Sequence, residues 1–487
     1  MRPAKLIRIL PLLAILSCTA HPVHREATQG MGFEQARHLL NRTGFGAAPQ
    51  EIRSFASMNQ EQAITRLLDT VRQTALTPPP DWTSELPQSL RVNAPDDALE
   101  KKMIERAPVV KMRKEERWDL RSWWYEEMLH TDSPLTERMV LFWHNHFTSS
   151  LHKVRNHYFL YRQNALLREH ARGNFRDLLQ AIAKDPAMLR YLDTNTNSND
   201  NPNENFAREL MELFTLGQGY YTETDVKEAA RAFTGWNYDR QTGAFVLEAD
   251  NHDNGIKTFL GQRGNFTGEE IIEIVLEQPQ TAVFITEKFW RAFISDEPDA
   301  QEIQRLAQIF REDGYEIKPL MRALLLSEAF WDPALRGTLV KSPVELIVGT
   351  FRTFGFSPRD LSYAASLARG LGQDIFNPLS VEGWPGGIHW LNSETLLERE
   401  QFLDLLWRHQ MNEELDPLLS QRMGIREMLA DGFDLSSWLK GLGEAQTSEN
   451  ALIQTLLPIE PVHPLPQMQD PSVLIGALLL DPAYQLK

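Results

Sequence analysis

The residues best suited to chemistry fall in a few short runs. From Asn203 to Trp236, Asn205 and Glu209 stand four apart, so on a helix they share one stripe. Glu209 sits at the border of the apolar face, beside Leu213 and Leu216. Partial desolvation there raises a carboxyl pKa unless a cation or donor holds it. Glu209 is therefore a candidate general acid/base or metal ligand, with pairing to an arginine such as Arg231 as the structural alternative. Just upstream, Asp193 to Glu204 reads DTNTNSNDNPNE. Its oxygen-bearing residues Asp193, Asn195, Asn197, Asn199 and Glu204 fall at the ligand positions of a helix-loop-helix calcium loop, but Ser198 stands where that loop needs glycine. A competing reading needs no metal: Asn201 caps a helix with Pro202 at its first position and Glu204 at its third.

His144-Asn145-His146 follows the apolar run MVLFW. On a helix the two imidazoles lie about 200° apart and cannot grip one ion. Extended backbone after Trp143 would bring both to one face, and in that geometry they are candidate metal ligands. Aromatic-packed core histidines are the alternative. His252, followed by Asp253 and with Lys257 nearby, is a second catalytic candidate beside Glu209. Such a set suits metal-assisted or acid/base hydrolysis, with a divalent ion such as calcium as the implied cofactor. No sequence spacing links these groups, so only the fold can bring them together. The run from Gly383 to Gly387, with His389 and Trp390, carries two indoles that either stack on sugar rings or clamp helices. No GxSxG elbow, P-loop, dinucleotide fingerprint or HExxH is present.

The elements that must position these groups are mostly helices. Ser342-Pro343-Val344-Glu345 supplies an N-cap, a first-turn proline and an acidic third position, and Thr267 with Glu270 repeats the box. Gly217, Gly314 and Gly355 supply stops. Segments such as IIEIVLEQ and VELIVGTFRTF carry the helical apolar period. The exception is Ala244 to Leu260, where AFVLE and KTFLG flank a polar stretch and predict a short hairpin. Residues 76–100, rich in proline, aspartate and serine, predict a surface loop. The expected fold is mainly α: one large helical domain with a small β-hairpin insertion. Its core runs over residues 33–406, and 407–487 form a helical C-terminal extension of the same domain.

Composition narrows the function. A formal charge of −16 argues against a phosphate-backbone binder, so no nucleic-acid partner is expected. Arg2, Lys5 and Arg8 precede the short apolar run Ile9 to Leu16, which is the pattern of a secretory signal over residues 1–20. The chain's one cysteine, Cys18, ends Ile15-Leu16-Ser17-Cys18 and resembles a lipoprotein box, although Leu16 replaces the usual small residue. Cys18 is the expected lipidation site, and cleavage after Ala20 is the rival. Either way the protein is expected to be exported, as a periplasmic protein or an outer-membrane lipoprotein. Its only membrane contact would be that N-terminal lipid anchor.

Five motifs occur in order: ERMVLFWHNHF (Glu137 to Phe147), the Asn203 to Trp236 run, GQRGNFTG (Gly261 to Gly268), LVKSPVEL (Leu339 to Leu346) and FNPLSVEGWPGG (Phe376 to Gly387). Together they resemble the bacterial DUF1800 family, a domain of unknown function, over about Phe33 to Leu406. The resemblance implies that Asp193, Asn197 and the Pro202 to Asn205 run are shared family elements. It also implies a partner, because members are often encoded beside an exported sulfatase-like family. Two functions are expected from this. One is a metal-assisted hydrolase acting on envelope or extracellular polymer, with Glu209, His144, His146 and His252 near its centre. The other is a non-catalytic envelope scaffold or helper of the sulfatase-like partner.

Overall fold

Two helices buried on almost every side set the centre of the molecule. In this computed structural model the described residues are 30–84, 99–443 and 448–487. The expected signal over residues 1–20, its Cys18, and residues 85–98 of the expected loop lie outside them. The first central helix, Pro134–His146, starts at Ser133-Pro134, and only its Pro134, Phe142 and Asn145 escape full burial. The second, Pro343–Phe354, carries the complete Ser342/Glu345 capping box and ends on Gly355 at φ 71°. Both helices carry polar groups into the core, among them Glu137, His144, His146 and Glu345, and these must find partners there.

The long helix Leu99–His130 crosses both central helices and also packs on His157–Glu169 and Leu361–Gly370. At about 1.5 Å per residue it spans roughly 48 Å. Pro279–Phe293 and Ala300–Glu312 form an antiparallel pair alongside. The C-terminal stretch joins the same body: Ser393–Gln410 packs on Pro471–Leu480, Glu449–Leu456 packs on Phe33–Thr43, and Val340 bridges Leu486.

The β-structure differs from the expected single hairpin. Strand β1 (Trp236–Tyr238) pairs with β2 (Phe245–Leu247), and β3 (Lys257–Phe259) pairs with β4 (Gln262–Gly264), both antiparallel. AFVLE and KTFLG therefore turn away from each other to their outer neighbours. The polar stretch between them curls into a short turn at Ala249–Asn251 and has no strand to offer.

One charge pair is closed within the core. Arg168 donates from Nε to Glu137 Oε1 at 2.7 Å and from Nη2 to Oε2 at 2.8 Å, and Trp124 Nε1 donates to Oε2 at 2.8 Å. Both side chains are fully shielded. Removing one partner strands a buried charge, which costs about 3–5 kcal/mol, whereas an apolar pair of similar volume is near neutral. Glu137→Leu is expected to lose stability on that scale in urea unfolding, and Glu137→Leu with Arg168→Met much less. A single variant within about 1 kcal/mol of wild type would contradict this account.

Candidate functional site

The Pro134–His146 helix continues through His146, so its last three residues face different ways. The Phe376 N–H donates to His144 Nε2 at 3.0 Å, and the ring lies edge-on to Trp124 at 5.2 Å. Asn145 Oδ1 accepts from the Trp384 N–H at 2.7 Å, and its Nδ2 donates to Trp384 O at 3.2 Å. His146 Nε2–H donates to Phe214 O at 3.1 Å. The three side chains thus tie two remote stretches to one helix end, the Phe376 to Gly387 run at two points and the turn at Phe214. His144 and His146 are not brought together on one ion, because the backbone stays helical to His146.

Burial, with Arg121 adding to it, holds the His144 imidazole down at about 3; burial and nearby Lys288 hold His146 well below its ordinary value. Both rings are neutral near pH 7. Because Nε2 of His146 carries the proton, Nδ1 presents a lone pair, and that buried atom has no hydrogen-bond partner.

The carbonyl that His146 uses comes from a second departure. The run expected as one helix is split into Asn205–Glu209 and a π-helical turn, Leu210–Thr215. The wider turn buries Met211 and Thr215 beside Phe206, Leu210 and Phe214, and leaves Leu213 partly exposed. It also leaves the Phe214 carbonyl, in the last turn, open to an outside donor. The helix begins at Asn205, and Asn203 Oδ1 accepts its N–H at 3.0 Å, so the expected cap at Asn201 does not form.

Glu209 is half-buried and has no ion-pair or hydrogen-bond partner among the described residues. Burial, then the Glu212 carboxylate, push its carboxyl up, and Glu382 adds to the effect. The alternative partner Arg231 is engaged elsewhere, on Asp253 (2.7 Å) and Glu228 (2.9 Å).

The calcium-like loop is held by protein contacts. Asp193, at φ 58°, accepts from Lys153 Nζ at 2.6 Å. The buried Asn197 donates to Ala230 O at 2.9 Å and accepts the Asn203 N–H at 2.8 Å. Glu204 pairs with Arg208 at 3.1 Å. Asn199 N–H donates to Asn251 O at 2.9 Å, which joins this loop to the β2–β3 connection. In that connection His252 Nδ1–H donates to Thr234 O at 2.9 Å, and buried Lys257 donates to Asp253 O at 2.6 Å. The candidates therefore form two groups, one around Asn197 and His252 and one around His144 and His146. Among the described residues no set of three or more His, Cys, Asp or Glu side chains converges to hold a metal. No metal-dependent step follows from these donors.

What the fold assembles instead is a cleft of about 750 Å³. One wall is the stripe Arg138, Phe142, Asn145 and His146; the facing wall is Lys288, Arg291 and Ala292. The loop from Leu379 to Trp390 closes a third side, and Ser342, Glu345, Gln373 and Lys487 form the inner end. Asn145 fixes that loop, and Gly383 (φ 87°) permits it: a Cβ there would meet Asn145 Oδ1 at 2.3 Å. The loop's indoles thus clamp rather than project, with Trp384 4% and Trp390 8% exposed. The Trp384 Nε1–H is buried without a partner.

At the inner end, burial pushes the Glu345 carboxyl up, but Arg138 (3.2 Å), Lys487 and the Ser342 N–H outweigh it and bring it to about 2. Burial lowers Lys288 to about 8, against the pull of Glu287. Arg138 and Lys288 were missed at the sequence level, where neither has a local signature, and Glu345 showed only as a cap.

The fold and cleft define a mainly α-helical protein whose polar hub sits in an aromatic core beside a large pocket. A family model described as "Protein of unknown function (DUF1800)" matches residues 38–486. The chain belongs to that family, and the match runs through the C-terminal stretch beyond Leu406. No curated protein and no solved structure matches it.

The buried imidazoles set an acid limit. His144 titrates near 6.5 when unfolded and about 3 when folded, so below 6.5 the unfolded chain binds the extra proton and folding weakens. The loss is about 1.4 kcal/mol per pH unit for one such group. His144→Gln keeps an acceptor for the Phe376 N–H and removes that titration. Its melting temperature is expected to fall less steeply than wild type between pH 6.5 and 4.5; parallel curves would refute the assignment.

Proposed function

We propose that this DUF1800 protein is exported and binds a polymer segment of the cell envelope in the cleft beside His146. The observation that carries the proposal is a cleft of about 750 Å³ whose wall holds two buried polar atoms without partners, His146 Nδ1 and Trp384 Nε1. Ligand sites fall at about 300–1,000 Å³ and hold a few polar groups among apolar ones. Phe142, Leu339 and Ile388 supply apolar lining here. On this reading the protein serves as a helper that presents polymer to an exported sulfatase-like partner. Export rests on the Arg2 to Leu16 pattern and anchoring on Cys18.

A hydrolytic role is the second reading, favoured by Glu209. Its carboxyl is raised and unpaired, and it feels the cleft-lining Glu382. Glu209 would act as the general acid.

Calorimetric titration of the mature protein with envelope polysaccharide fragments separates these roles. Binding is expected for wild type and for Glu209→Gln, and about tenfold weaker for His146→Phe, which removes the lone pair. Release of shorter fragments by wild type but not by Glu209→Gln would establish hydrolysis. Absence of binding to every fragment would sink the cleft proposal. Mass spectrometry of the mature N-terminus is expected to find diacylglycerol on Cys18; a free chain starting after Ala20 would exclude the anchor.

A further inference from the structure

We infer that the polymer held in the cleft is anionic and hydroxyl-bearing, an acidic sugar chain whose sulfate, phosphate or carboxylate group sits between Lys288 and the inner end. The inference rests on the cleft-binding proposal and adds the substrate class.

Charge is the first argument. The whole chain carries −16, yet cationic side chains outnumber acidic ones along this cleft. Lys288 has no carboxylate within ion-pair range among the described residues and rests over the Phe284 ring at 4.9 Å. At the inner end Glu345 is, among the described residues, the one side-chain carboxylate in ion-pair contact with Arg138 and Lys487. The same carboxylate also faces the second-layer Arg42 and Arg399, while burial brings Lys341 and Lys487 down to about 7, so those two are only partly charged near pH 7. Lys288, brought down to about 8, keeps most of its charge near pH 7 without an ion-pair partner among the described residues, and such an uncompensated charge favours an incoming anion.

Donor and acceptor geometry is the second, independent argument. Trp384 is 4% exposed and His146 5% exposed, and each holds a partnerless polar atom in the cleft wall. Indole Nε1–H can only donate, which suits an anionic oxygen. His146 Nδ1 can only accept in this tautomer, which suits a hydroxyl beside that anion. Arg138 and His146 are eight positions apart on one helix, so about 12 Å of wall separates the cationic end from the acceptor. A single small ion does not span that length, whereas consecutive units of a chain do.

The test is calorimetric titration of the mature protein with one oligosaccharide backbone in four forms: neutral, carboxylated, sulfated and phosphorylated. At least one anionic form is expected to bind roughly tenfold more tightly than the neutral one, with affinity falling as salt rises. The arm that binds best identifies the group. Lys288→Gln breaks no ion pair and should erase the preference, while Lys288→Arg should keep it. Neutral and anionic forms binding equally would overturn the inference and leave the cleft proposal standing. A preference retained in Lys288→Gln would also overturn it. No binding by any form would overturn both.

Discussion

The fold depends on satisfying three adjacent polar side chains at the dry end of one core helix. His144, Asn145 and His146 are held among Trp124, Trp143, Phe147 and Phe214, where an unpaired polar group costs about 1–3 kcal/mol. Each finds a backbone group remote in sequence: Phe376, Trp384 and Phe214. Backbone partners make this arrangement demanding, since the chain path itself must come to the right place. The loop from Leu379 to Trp390 and the π-helical turn are positioned by these contacts. The cleft lies between that loop, the helix end and the wall of Lys288, Arg291 and Ala292.

Two local irregularities follow from that requirement. The π-helical turn at Leu210–Thr215 frees the Phe214 carbonyl and rotates Met211 and Thr215 inward. Gly383 lets the loop backbone approach Asn145 where any side chain would collide. Both features weaken regular structure locally, and both serve the hub. The cleft then inherits what the hub leaves over, a lone pair on His146 and an N–H on Trp384.

Buried charge follows two patterns. Glu137 and Arg168 form a closed, bidentate pair that also satisfies Trp124. Around Glu345 the balance is open, with several cations sharing one carboxylate next to accessible space. The first pattern is architecture. The second is electrostatically prepared for something from outside, and this difference directs attention to the inner end of the cleft rather than to the conspicuous carboxylates and amides of the Asp193–Glu204 loop.

Local rules read the class and the helix starts from the sequence alone. Ser342-Pro343 and Thr267 begin helices because an N-cap needs only the next three residues. Family membership was legible too, because motif order is a property of the chain. The candidate site was legible only in part: His146 lines the cleft and Glu209 feels its rim, while Asp193, Asn197, Glu204 and His252 are bound up in a separate loop cluster. Which strands pair, where the π-turn falls, which way each imidazole faces and which cations meet Glu345 were decided by the tertiary structure. These outcomes turn on contacts between segments tens to hundreds of residues apart, such as Glu345 with Arg138 and Lys487. Spacing along the chain carries no information about them until the core has formed.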